Sequence, residues 1–78
     1  MTVTVRFFGP LTDVFPASLD IDISLPASKE NLEAELRSHF PALGNRAFQI
    51  AVDRTMIPPD GLVERAAEIS LLPPFSGG

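Results

Sequence analysis

The stretch SLDIDISLPASKENLEAELRSHF, residues 18–40, contains the clearest strand pattern and the clearest helix pattern of the sequence. Its first eight residues alternate strictly between polar and apolar side chains, which predicts a β-strand with one solvent-exposed face. Leu32, Leu36 and Phe40 then recur every fourth residue and predict an amphipathic helix from about Lys29 to Phe40, with Ser28 as its N-cap. A helix with one apolar stripe requires a sheet face to cover, so this stretch predicts an α+β fold.

Further strands are predicted on both sides of this unit. Residues 2–8 alternate with an apolar face, and Gly9-Pro10 ends that strand before a short helix predicted around residues 11–16. Three shorter strands are predicted at residues 48–52, 55–57 and 68–72, whereas residues 62–67 are ambiguous and compatible with a helical turn. The predicted order is strand, short helix, strand, main helix and three strands.

Composition restricts the classes of function. The 78 residues have room for one domain, which we divide into a body of residues 1–72 and an extended tail of residues 73–78. The lack of cysteine excludes disulfides, thiolate nucleophiles and cysteine-based metal sites. A net charge of −4 argues against nucleic-acid binding and is compatible with a basic partner surface. Without a long apolar run or a signal-peptide pattern, we expect no membrane association and a cytoplasmic location.

Two local features resemble functional sites only weakly. Asp20 and Asp22 alternate along a predicted strand and have no third ligand nearby, so we interpret them as solvated residues and predict no metal site. His39 is the single histidine and lies near the predicted helix C-terminus. With no serine or cysteine partner motif, it is interpreted as a surface residue.

The last residues of the sequence form the most distinctive motif. Two prolines stop the final strand at Leu72 and favour an extended backbone. Without Cβ atoms, the two terminal glycines make the thinnest possible chain, which fits a slot that excludes side chains. We therefore predict a tail that enters a partner protein, formed by Pro73, Pro74, Phe75, Ser76, Gly77 and Gly78.

Three apolar residues do not fit the predicted buried face. If Val3, Val5 and Phe7 face the helix, strand parity places Phe8 on the opposite face, and the same reasoning applies to Leu72 and Met56. The set Phe8, Met56 and Leu72 is therefore predicted to form an exposed apolar patch that docks a partner.

The sequence resembles the MoaD family of ubiquitin-like sulfur carriers, the small subunits of molybdopterin synthase, over nearly its whole length. The resemblance rests on the segments VRFFG at residues 5–9, AVDRTMI at residues 51–57 and LPPFSGG at residues 72–78. Residues 66–69 read Ala-Ala-Glu-Ile where members commonly have Gly-Asp-Glu-Val, so we expect a turn of different shape there. The resemblance implies a β-grasp fold with a mixed five-stranded sheet, one main helix and a flexible Gly-Gly tail, in which the first and last strands are parallel neighbours.

The resemblance also implies a chemistry for Gly78. A MoeB-like adenylyltransferase would use ATP and magnesium to adenylate its carboxylate, and sulfur would then give a thiocarboxylate. The tail would donate that sulfur inside a MoaE-like large subunit, which would supply the catalytic side chains, while this chain binds no cofactor itself. Open alternatives are a sulfur carrier for thiamine, cysteine or another thiolated product, a protein modifier joined through Gly78 to lysines, and a plain β-grasp interaction module.

Overall fold

The computed structural model of the chain describes residues 1–58 and 60–74. Two short 3-10 helices, Gly9–Asp13 and Pro41–Leu43, connect larger elements. The strands and the α-helix are, in chain order, β1 (Thr2–Phe7), β2 (Ser18–Asp22), β3 (Ala27–Ser28), α1 (Lys29–His39), β4 (Gln49–Val52), β5 (Thr55–Met56), β6 (Leu62–Val63) and β7 (Glu68–Leu72).

The main sheet has five strands in the order β2-β1-β7-β4-β5. β1 and β7 run parallel, with Val5 opposite Ile69, and the other neighbours are antiparallel. The first and last strands are thus adjacent, and β7 occupies the centre of the sheet. This arrangement confirms the predicted β-grasp fold. No helix in residues 1–58 or 60–74 is both long and apolar enough to cross a membrane.

Helix α1 covers one face of this sheet. Leu32 and Leu36 are fully buried against it, as the four-residue spacing predicts. The hydroxyl of Ser28 accepts a hydrogen bond from the Asn31 amide at 3.1 Å, which confirms the N-cap. The helix ends at His39, one residue before the predicted end, and Phe40 closes it by donating its amide to the Leu36 carbonyl at 2.9 Å.

Three aromatic rings fill the core beneath the end of β1. Phe7 stacks on Phe15 with ring centroids 4.6 Å apart, and both rings meet Phe40 edge to face. The intervening helix is a 3-10 turn over residues 9–13 rather than a helix over 11–16. Val14 lies beyond its end and is exposed.

β2 ends at Asp22 instead of continuing to Leu25. Thr2 opposite Asp22 is the last pair of the β1–β2 ladder, because β1 begins at Thr2. Ile23 still donates its amide to the Met1 carbonyl at 3.0 Å, and its side chain is buried. Leu19 is 39% exposed, since β2 is the edge strand of the sheet.

Residues 62 and 63 form a strand, not the helical turn considered above. Val63 pairs with Ala27 in a second, two-stranded sheet, and its side chain is buried. The turn that follows is held by Asp53, whose carboxylate accepts hydrogen bonds from the Ala67 and Glu68 amides at 3.0 and 2.9 Å. The segment that departs from the family pattern therefore has a defined anchor.

Candidate docking face and tail root

The tail leaves the body at the end of the central strand. β7 stops at Leu72, as the two prolines predict, and Pro73 is half-buried while Pro74 is exposed. The remaining predicted tail residues, Phe75, Ser76, Gly77 and Gly78, lie outside the described part of the chain. Because β7 is flanked by β1 and β4, the point of exit is held from both sides.

Gly9 forms the other wall of this exit. Its φ is +61°, a left-handed conformation that side chains with a Cβ rarely adopt. A Cβ on Gly9 would lie 3.1 Å from Cγ of Pro73, which is closer than ordinary van der Waals contact. The glycine therefore permits both the turn after β1 and the close approach of Pro73.

Phe8 and Leu72 lie side by side on the sheet face that α1 leaves uncovered. Phe8 donates its amide to the Leu71 carbonyl at 3.2 Å, so it extends the β1–β7 pairing by one residue. Phe8 is 39% exposed and Leu72 is half-buried. Both side chains therefore lie on the face that strand parity predicts, immediately before the tail.

Met56 lies farther away on the same face. It is 46% exposed and sits on β5, which is two strands from β7. From the usual spacing between strands and between residues along a strand, the Cα atoms of Met56 and Leu72 are roughly 12 Å apart, too far for direct contact. Ala51 and Ser70 are opposite each other in register and lie between the two, and both are buried although they face away from α1.

The sequence alone does not single out Ala51 and Ser70 as members of the predicted patch. Alanine and serine are too small to suggest an apolar patch. Their strand parity, opposite to that of Ile50 and Ile69, nevertheless indicates that they face away from the core. Ala51 and Ser70 form a shallow surface between the larger side chains of Leu72 and Met56. We call the set Phe8, Ala51, Met56, Ser70 and Leu72 the docking face. Its role in binding stays a prediction.

The other half of the uncovered face is polar. Thr2 and Thr4 donate their hydroxyls to Asp22 and Asp20 at 2.8 and 2.7 Å, and Arg6 lies 3.7 Å from Glu68. Both aspartates are exposed and engaged with threonines, as solvated strand residues are. Within residues 1–58 and 60–74, no group of three or more potential metal ligands comes together.

One sequence family accounts for this combination of fold and tail. The sequence model of the ThiS family matches residues 5–78. The chain belongs to the ThiS family. This places it among the ubiquitin-like sulfur carriers of the ThiS and MoaD type, as the resemblance implied.

Solved structures agree with this family. In the complex of subunits 1 and 2 of the molybdopterin-converting factor from Helicobacter pylori, the matching chain is 28% identical, with full coverage of both chains and a TM-score of 0.64. The putative molybdopterin converting factor subunit 1 from Pyrococcus furiosus is 15% identical, with a TM-score of 0.75 and coverage of 96% of this chain and 99% of that one. SAMP1 from Haloferax volcanii is 18% identical, with full coverage of both chains and a TM-score of 0.73. The last two similarities show the fold alone.

Proposed function

We propose that this ThiS-family protein carries sulfur as a thiocarboxylate on Gly78 and acts as the small subunit of molybdopterin synthase. The observation that carries the proposal is the 28% identity, over the full length of both chains, to a protein in the Helicobacter pylori complex of molybdopterin-converting factor subunits 1 and 2. The exposed Phe8 and the half-buried Leu72, next to the root of the tail, supply a surface for the larger subunit.

The chemistry follows from the poor reactivity of a carboxylate. One oxygen of the Gly78 carboxylate attacks the α-phosphorus of ATP on a MoeB-like adenylyltransferase, which binds the nucleotide and magnesium, and pyrophosphate leaves. Sulfide (HS⁻) then attacks the acyl carbon and displaces AMP, and loss of the sulfur-bound proton leaves a thiocarboxylate. The chain has no cysteine, so sulfur that it carries covalently for transfer resides on this terminal group.

The docking face and the tail have separate tasks in this scheme. Apolar anchors on the uncovered sheet face provide affinity, since a few buried aromatic and aliphatic side chains dominate most interfaces. The tail then reaches an active site whose side chains belong to the MoaE-like large subunit. Accordingly this chain is a sulfur-donor subunit and supplies no catalytic side chain.

Reconstitution with purified partners tests the proposal. The thiocarboxylated chain is mixed with the large subunit of molybdopterin synthase from the same organism and a cyclic pyranopterin phosphate, and molybdopterin is measured. We expect a stable complex and a product that depends on the thiocarboxylate. If the chain instead forms conjugates with lysines of other proteins, or thiolates a thiamine or cysteine precursor, the molybdopterin assignment is wrong.

A further inference from the structure

A surface cleft of about 250 Å³ lies at the root of the tail, beside the docking face. We call it the tail-root cleft, and its lining consists of Pro10, Leu11, Arg46, Ala47, Pro73 and Pro74. Among these residues Arg46 alone carries a charge. The cleft therefore combines an apolar wall with one guanidinium group, next to the two prolines from which the tail extends.

Helix α1 holds the loop that carries Arg46. The guanidinium of Arg37 donates hydrogen bonds to the carbonyl oxygens of Gly44 at 2.7 Å and Arg46 at 2.9 Å. It also lies over the Phe48 ring, 4.6 Å from its centroid, and pairs with Glu33 at 3.2 Å. The backbone of Arg46 is thus anchored, while its own side chain is exposed to solvent.

The charge of Arg46 contrasts with the rest of the chain. The sequence has ten acidic residues against six basic ones. Within residues 1–58 and 60–74, no carboxylate lies within ion-pair distance of Arg46. A cation on an anchored loop at the edge of an apolar cleft matches a ligand with an apolar group and an adjacent carboxylate.

We propose that the tail-root cleft binds an apolar side chain of the protein that receives the tail, and that Arg46 pairs with a carboxylate next to that side chain. The partner surface at the mouth of the tail channel would then be locally acidic, although this chain is acidic overall. This inference rests on the proposed function, because it assumes a tail-receiving large subunit. It adds a charged specificity contact to the apolar docking face.

Affinity measurements with two charge-reversal variants test this inference. Arg46→Glu and Lys29→Glu change the net charge equally. Lys29 begins helix α1, which covers the sheet face opposite the docking face, so it serves as the matched control. Binding to the large subunit of molybdopterin synthase is measured by calorimetry for both variants and the natural chain, after thermal melting confirms that all three are folded.

We expect Arg46→Glu to weaken binding about tenfold or more at low salt, as for loss of a close interfacial charge pair. The deficit should shrink between about 0.01 M and 1 M salt, where the Debye length falls from ~30 Å to ~3 Å. Lys29→Glu should bind within about twofold of the natural chain, because charges outside an interface contribute little. Equal affinity of Arg46→Glu and the natural chain would overturn the inference and leave the proposed function intact. Failure of the natural chain itself to bind would overturn both.

Discussion

Gly9 joins the end of β1, the first 3-10 helix and the root of the tail. Its positive φ already disfavours any other residue, and Pro73 occupies the space that a Cβ would need. Gly9→Ala should therefore lower the free energy of unfolding by at least about 1–2 kcal/mol, the usual cost of a left-handed residue. Urea denaturation measures this loss.

A second substitution separates the two causes. In Pro73→Ala the ring atoms Cγ and Cδ are gone, and the remaining Cβ would lie 3.7 Å from an alanine Cβ at position 9. The double variant should thus be more stable than the sum of the single changes predicts, because the steric conflict is relieved. Strict additivity would show that backbone strain alone makes Gly9 necessary.

Phe8 is the residue on which the docking face depends most. Phe8→Asp should weaken binding to the large subunit by about 1–3 kcal/mol, as for an interface anchor. Stability should change little, because the side chain is 39% exposed and lies outside the core. Leu19→Asp is the matched control, since Leu19 is also 39% exposed but lies on the edge strand β2. Similar losses of affinity in both variants, or unfolding of Phe8→Asp, would contradict the assignment.

The hairpin of β4 and β5 is coupled to β7 through Asp53. This residue sits in the tight turn with a φ of +49°, and its carboxylate accepts from two amides at the start of β7. Asp53→Ala should cost about 2–3 kcal/mol of stability, because two hydrogen bonds are lost and alanine tolerates this φ poorly.

The conservative substitution at the same position gives the control. Asp53→Asn keeps a side-chain oxygen and a residue type that accepts positive φ, so most of the stability should return. Chemical denaturation of both variants, in the same buffer, distinguishes loss of the bonds from a general intolerance of the site. Equal destabilisation by alanine and asparagine would show that the negative charge matters more than the acceptor geometry.

At the level of elements, the sequence predicts those helices and strands whose formation depends on local pattern alone. The main helix, β1 and the stop at Leu72 follow from apolar spacing, an N-cap and two prolines. The strand of Leu62 and Val63 could not be predicted, because two residues have no periodicity and this strand exists through pairing with β3. The early end of β2 depends likewise on where its partner strand begins.

The residues of the candidate site likewise fall into those that local sequence predicts and those that depend on the folded chain. Phe8 and Leu72 were predictable because strand parity is a property of the local sequence. Strand order determines how far Met56 lies from Leu72 and places Ala51 and Ser70 between them. The tail-root cleft depends on loops that meet only in the folded chain. Local sequence patterns carry no information about such long-range neighbours.

In the whole molecule, we propose that the body docks on the partner and positions the tail. We expect Gly77→Ala to keep much of the docking affinity, which we attribute to the sheet face, but to lose most sulfur-transfer turnover. Reacting atoms must approach to about 3–3.5 Å, and a misplacement of about 1 Å can cost on the order of 100-fold in rate. Affinity and single-turnover transfer measured on the same variant test this separation. Full activity with alanine would show that the channel is wider than a glycine requires.

Intact-mass spectrometry shows whether Gly78 carries the sulfur, as we propose. The natural chain and a variant lacking Gly78 are each incubated with the adenylyltransferase, magnesium, ATP and a sulfur donor. We expect a gain of about 16 Da, the oxygen-to-sulfur difference, on the natural chain. We expect no gain on the truncated chain, which should remain folded because the change lies beyond the body. The same gain on the truncated chain, or none on the natural one, would show that Gly78 does not carry the sulfur.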